Sequence, residues 1–342
     1  MVILSRNKLL LRLGLLLSAV TLFLTACQDH RPPEPGSRSL PITDIQMIRP
    51  STVDGLKAFF LALDYDWSKL ENGVPPFILE RFPRNFNAPL NIKQRKRIFF
   101  MGLLPMVLLI NQEIVDERRT LVSLLAQHKE MGTLPLAQAE WLRQLADNYG
   151  LRGNPLTDHR VRATLLRRVD TLPAALVLAQ AANESAWGTS RFAREGNNLF
   201  GQWTFTPGTG IVPKGRPPGA TYEVRRFKDL EDSIRGYFTN LNTHSAYREL
   251  RKTRQVLRTQ GKKVTGRALA KGLSRYSSRG YAYVREIQSM IDHNNLEALN
   301  QLALSGVPSD ATETVGPGGS GLLSSRYQIT RQEIVAVQPT DD

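Results

Sequence analysis

The sequence contains one cysteine, Cys27, and five histidines among 342 residues. A lone thiol excludes an intrachain disulfide framework. The histidines are scattered, with no HExxH or CxxC pairing, so no metal-ligand spacing is present. No metal and no cofactor is therefore expected. The glycine-bearing stretches lack the strand–GxGxxG–helix context and the Walker pattern, which leaves phosphate cradling without support. No GxSxG elbow accompanies the serines, so nothing favours a Ser–His–Asp nucleophile. Acidic residues are also scarce: 31 Asp and Glu stand against 45 Lys and Arg, a net charge of +14. That excess implies an anionic partner. An apolar content of 41% is enough for a core and argues against global disorder.

The N-terminus narrows the choice of partner. "MVILSRNKLLLRLG" carries Arg6, Lys8 and Arg12, and "LGLLLSAVTLFL" follows. That apolar run has the length of a signal-peptide core and is short for a membrane span. It leads into "LTAC", residues 24–27, which resembles the bacterial lipobox. The resemblance implies a signal peptide over 1–26 and lipidation of Cys27 as the first mature residue. Ordinary signal cleavage or an uncleaved anchor are the alternatives. The expected location is the cell envelope, with the chain anchored in a membrane through Cys27 and facing the periplasm. Gln28 at the following position permits outer-membrane sorting in a Gram-negative cell. Nucleic acid is a poor partner outside the cytoplasm. Loss of Arg6, Lys8 and Arg12 lowers the net charge only to +11, so cell-wall carboxylates and anionic envelope polymers are the expected targets.

Composition divides the rest of the chain. Residues 27–51 form a Pro-rich tether, with "QDHRPPEPGSRSLP" at its start. Residues 52–134 make an N-terminal helical region. Within it, residues 91–132 predict one long helix, with a kink or break at Pro105 and an apolar face marked by Ile114, Val115, Leu121, Leu124 and Leu125. Residues 135–304 predict a mostly helical domain interrupted once. At 201–227, β-branched and aromatic residues broken by Gly and Pro predict a short hairpin with an irregular loop. The tail, 305–342, contains "GPGGSGLLSS" and is expected to be disordered. Residues 214–286 hold 18 Lys or Arg against 6 Asp or Glu, a local excess that can attract carboxylates or phosphates.

One carboxylate stands out. Pro173 suits the start of a helix through "AALVLAQAANESAW", which puts Glu184 in its last turn among Ala181, Ala182, Ala186 and Trp187. Glycoside hydrolysis needs a carboxylic acid that protonates the leaving oxygen and a second group that stabilises the cation-like centre or activates water. Apolar surroundings raise a carboxyl pKa into the range where it can act as that acid. A solvated surface glutamate is the alternative for Glu184.

The stretch "AQAANESAWGTSRFAREGNNLFG" resembles the glucosaminidases of glycoside hydrolase family 73, peptidoglycan-cleaving domains of autolysins. It supplies Gln180, Glu184, Ser185, Trp187, Gly188 and Ser190 of that pattern, then Asn197 to Gly201. "FPRNF", "LLPMVLLINQEIVDERR", "EVRRF" and "NLNTHSAYRELR" resemble the bacterial Bax branch of the family. The resemblance implies a mainly α fold, with a lysozyme-like α+β core, a small β-hairpin lobe and additional N-terminal helices. It implies hydrolysis of the β-1,4 bond after N-acetylglucosamine in peptidoglycan glycan strands, with Glu184 as the general acid. Glu223, on the hairpin, is the nearest match to the second acid, with Glu195 and Glu231 as rivals; Asp229 is better explained as a helix cap. Tyr276 matches a tyrosine near the cleft, and Tyr281 stays open. Asn198, Trp187 and Phe200 are the candidate substrate contacts; packing is the favoured alternative for Trp187, and a structural role in the loop for Phe200 and Gly201. A lytic transglycosylase and a catalytically inactive wall-binding lipoprotein are the rival readings.

Overall fold

The structure, a computed structural model, describes residues 45–87, 91–305 and 329–334. Cys27 and its signal, most of the tether and most of the tail lie outside the described residues. The described chain is mainly α-helical, with two small sheets.

Strand β1 (Ile45–Pro50) occupies the end of the stretch read as tether, and its apolar Ile45, Met47 and Ile48 are buried. It pairs in parallel with β2 (Phe77–Leu79) on one side. On the other side it pairs in parallel with a strand from the tail, Ile329–Ile334. That part of the tail is therefore ordered as sheet, against the expectation of disorder over 305–342. Helix α1 (Val53–Ala62) follows β1. Its N-cap Thr52 accepts from the Gly55 amide at 3.1 Å.

Helix α2 (Ile92–Met131) is the long element expected, capped by Asn91 and ended by Gly132 in the left-handed region at φ 77°. The break expected at Pro105 is absent. Proline has no N–H, so the carbonyl of Met101, four residues back, loses its helical donor. The buried Tyr65 hydroxyl replaces it at 3.2 Å. Although α2 is long and apolar enough to cross a bilayer, its most apolar window is 83% buried in the protein. Of the five residues assigned to its later apolar face, Val115 turns out exposed.

Helices α3 (Leu136–Asn148) and α4 (His159–Arg168) lead to α5 (Ala174–Glu184). Every residue of α5 from Ala174 to Ala182 is buried. Its small alanines allow α2 and the later helices α9 (Gly266–Ala270) and α10 (Tyr281–His293) to approach closely on several sides. Gly266 shows how close: a Cβ there would lie 2.9 Å from the Ala175 side chain. One apolar core runs from Ile45 to Leu304 through α5.

After α5 come α6 (Arg191–Gly196) and the strands β3 (Trp203–Thr204), β4 (Gly210–Ile211) and β5 (Glu223–Arg225). Their order is β3–β5–β4, antiparallel, so the lobe is a three-stranded sheet with β5 central, not a simple hairpin. Helices α7 (Leu230–Thr243) and α8 (Arg248–Thr259) then return the chain to the core. Asp229 caps α7, accepting from the Asp232 amide at 2.8 Å, as its position suggests.

Candidate active site

Glu184 is the last residue of α5. Ser185 stops the helix. Its buried hydroxyl donates to the Ala181 carbonyl at 2.5 Å and accepts from the Gly188 amide at 2.8 Å. Ala186, Trp187 and Gly188 all take positive φ, at 49°, 60° and 75°. Left-handed backbone at two non-glycine residues is strained and persists only where the surroundings enforce it. Here the Trp187 ring does so, wedged edge-on against Phe99 and Phe100 at 5.8 and 5.2 Å, with the Lys96 ammonium 4.7 Å from its centre. Trp187 thus packs, its favoured role, and locks the turn that ends α5.

Half-burial pushes the Glu184 carboxyl above its ordinary pKa; the Tyr283 hydroxyl and the Asn183 side chain, both hydrogen-bonded to it, pull the other way. Arg279 and Glu286 act more weakly and in opposite directions. Behind Tyr283 runs a chain of donors. Tyr237 donates to the Gln180 carbonyl oxygen at 2.5 Å, and the Gln180 amide donates to the Tyr283 hydroxyl at 2.7 Å. The Tyr283 oxygen is thus occupied as acceptor, and its own hydrogen turns to Glu184. Burial and the Glu184 charge raise the Tyr283 pKa far above that of a free phenol, so the ring stays a donor.

Tyr276 stacks on Tyr283 with ring centres 5.5 Å apart, and its hydroxyl donates to the Phe200 carbonyl at 2.9 Å. It thereby ties down the "NNLFG" loop. Tyr281 is exposed at the start of α10. The loop itself is packed for rigidity. Asn198 donates to the carbonyls of Gln202 and Arg225 at 2.8 and 2.9 Å, and its oxygen accepts from the Phe200 and Gln202 amides. With its donors and acceptor committed, Asn198 has no free group for a sugar. Phe200 is buried and stacked on Tyr237 at 4.1 Å, so its ring is equally withdrawn. Asn198 and Phe200 both act as loop supports, the role favoured for Phe200. The loop ends at Gly201, where a Cβ would stand 3.8 Å from a Glu184 carboxylate oxygen. The φ of Gly201, +65°, favours glycine there as well.

Glu223 lies on β5, in the antiparallel lobe. Its two oxygens accept from the Gly208 and Gly210 amides at 3.1 and 2.8 Å, and these bonds hold its pKa below the ordinary value. The rivals have other work. Glu195 is exposed and pairs with Arg191 at 3.6 Å. Glu231 is buried against Arg235, which also reaches Glu113 across to α2 at 2.7 Å. No group of His, Cys, Asp and Glu suited to a metal occurs among the described residues. A cavity of about 840 Å³ opens at the other end of α5, around Pro173 and Ala174, remote from the acid.

Gln180, Tyr237 and Tyr283 form the hydrogen-bonded chain behind Glu184, which sequence reasoning did not assemble. Gln180 stands in the quoted motif and Tyr283 in the later "YAYVREI", but nothing local shows that their side chains meet.

A carboxyl with a raised pKa at a helix end is a feature that glycoside hydrolases use for their general acid. A family model described as mannosyl-glycoprotein endo-beta-N-acetylglucosaminidase, Glucosaminidase, matches residues 163–296. The chain is 35% identical over 203 residues to Protein bax of Escherichia coli (strain K12), covering 58% of this chain and 70% of that protein. The chain belongs to this glucosaminidase family. The catalytic domain of the autolysin Auto from Listeria monocytogenes aligns over 51% of this chain and 95% of its own, at 18% identity and a TM-score of 0.30. That likeness is too slight to argue from.

Proposed function

We propose that this protein is an exported peptidoglycan hydrolase, anchored through a lipidated Cys27, which cleaves the β-1,4 bond after N-acetylglucosamine with Glu184 as general acid. The observation that carries the reading is the environment of Glu184: a carboxyl with raised pKa, aimed by Tyr283 and Asn183, with the side-chain-free Gly201 beside it. A proton moves from Glu184 to the glycosidic oxygen as the bond to the sugar's anomeric carbon breaks, and the positive charge developing on the ring needs a partner. In this reading Glu223 takes a proton from a water whose oxygen bonds to that carbon, which quenches the charge and completes the hydrolysis. Its environment lowers its pKa while that of Glu184 is raised, and opposed shifts divide the acid and base roles between two carboxylates.

A second reading rests on one observation. Both oxygens of Glu223 already accept backbone amides. If these bonds hold during turnover, the substrate's own acetamido group assists in its place, as in some glycosidases. The basic surface of residues 214–286 fits a substrate rich in carboxylates.

The test is digestion of purified peptidoglycan with mass spectrometry of the released fragments. Reducing N-acetylglucosamine ends are expected, and none from Glu184→Gln. Ends carrying a 1,6-anhydro ring would instead make the enzyme a lytic transglycosylase. No release at all by the parental protein would leave a wall-binding lipoprotein.

A further inference from the structure

Of the aromatic candidates for sugar contact, Phe200 is buried and Trp187, half-buried, is packed against Phe99 and Phe100. The exposed ones lie elsewhere, in the antiparallel lobe. Trp203 is 51% exposed and Phe205 76% exposed. The Trp203 ring meets Tyr222 edge to face, with centres 4.8 Å apart and planes at 88°. Large aromatics are more often buried, and two exposed on one small lobe, with Tyr222 braced against one of them, call for an explanation.

Position supplies it. Trp203 is two residues beyond Gly201, whose side of the backbone abuts the Glu184 carboxylate. Two residues span at most about 7 Å of chain, so the Trp203 backbone lies close to the acid. The ring is also rigidly mounted. Trp203 pairs with Val224 of β5, and the Arg216 guanidinium donates to the Tyr222 carbonyl at 3.3 Å. Asn198 fastens the start of β3 to the end of β5 through its two carbonyl contacts. A fixed aromatic face offers contact area with little ordering entropy left to lose. Its negative π face suits the positively polarised C–H face of a pyranose ring.

We propose that Trp203, braced by Tyr222, is a sugar-stacking platform that holds the glycan strand next to Glu184. The proposal rests on the glycan-hydrolase reading above. The platform recognises the sugar ring itself, not the stem peptide, because an indole face carries no charge to meet a carboxylate.

Glu184→Gln protein, which binds without cleaving, is titrated with a peptide-free β-1,4 glycan oligomer of N-acetylglucosamine and N-acetylmuramic acid. Binding is followed calorimetrically, with and without Trp203→Ala or Trp203→Phe. Trp203→Ala is expected to weaken binding about tenfold, and Trp203→Phe to recover part of the loss. In the catalytically intact protein the same change falls chiefly on KM. Circular dichroism and melting establish that each variant is folded. Undiminished affinity in a folded Trp203→Ala protein overturns the platform while leaving the hydrolase reading intact. Absence of any glycan binding by the Glu184→Gln protein overturns both.

Discussion

Tyr283 donates its hydroxyl hydrogen to the Glu184 carboxylate, with Gln180 donating to the same hydroxyl at 2.7 Å from behind. The two residues come from different helices, and their hydrogen bond opposes the effect of burial. Burial favours protonated Glu184; the Tyr283 bond favours the ionised form. Tyr283→Phe removes the donor and keeps the ring that stacks on Tyr276. The Glu184 pKa then rises further, and the alkaline limb of the rate profile moves to higher pH. A pH–rate profile of kcat/KM measures this, and a limb displaced to lower pH would refute the assigned direction of the bond. Gln180→Leu, which leaves the Tyr283 oxygen without its donor, is expected to lower turnover because the hydroxyl loses its fixed orientation.

Glu223 tests the choice between a second carboxylate and the acetamido group. Glu223→Gln keeps the shape, but its amide nitrogen cannot accept a backbone N–H, so one of the Gly208 and Gly210 bonds is lost. Turnover is expected to fall roughly 10²–10⁴-fold, the scale of general acid–base catalysis. Near-parental turnover by a folded variant transfers the role to the substrate.

The anchor is separable from the chemistry. Because Cys27 is the single thiol of the chain, Cys27→Ser leaves no other thiol to acylate. Metabolic labelling with a fatty acid should vanish, and the protein should leave the membrane fraction with its hydrolytic activity intact. Persistent label in the variant would show that the "LTAC" stretch is not a lipobox.

The place of Glu184 at a helix end was legible because its motif is local: the alanines, the glutamate and the ending of its helix all lie within a dozen positions. What surrounds it was not. Gln180 and Tyr283 are 103 positions apart and meet only because α10 packs on α5. Asn198 and Phe200 look like site residues in a motif, yet their side chains close a loop, and a pattern of letters does not tell inward from outward. Trp203 was visible as an aromatic but not as an exposed one. The helix continues through Pro105, where Tyr65, 36 positions from Met101, supplies the missing donor, a partner the local sequence does not show. The strands at 45–50 and 329–334 are each too short and too isolated to declare themselves, since each is defined by a partner far along the chain.

Stability has its own focus at Arg254, which is fully buried. Its guanidinium donates to the carbonyls of Arg167, Asp170 and Thr171 and to Asn242, and pairs with the Asp170 carboxylate at 3.3 Å. It thereby gathers the end of α4, the start of α5 and α7 around α8. Burial pulls its pKa down to about 10. Arg254→Ala leaves these acceptors unpaired and is expected to cost about 3–5 kcal/mol, read from the urea midpoint. Arg254→Lys should recover little, because an ammonium cannot reach several acceptors with a planar fork.

Glu184 itself should show the opposite sign. Its folded-state pKa is raised, so folding favours the protonated carboxyl. The resulting stability is fully present below the unfolded pKa of a glutamate and is lost as pH rises through the folded value. Ionising Glu184 in the folded protein is therefore work done against its own surroundings. Glu184→Gln removes the titration while keeping the size and an oxygen that can accept from Tyr283. It should abolish glycan cleavage and raise the melting temperature at neutral pH, with the gain shrinking as the pH is lowered towards 4. Activity of the parental enzyme should decline on the alkaline side for the same reason, because a deprotonated Glu184 has no proton to give. Melting curves of both proteins across that pH range decide the matter: a difference that does not depend on pH means that Glu184 is not held in its protonated form, and the assignment of the acid falls with it.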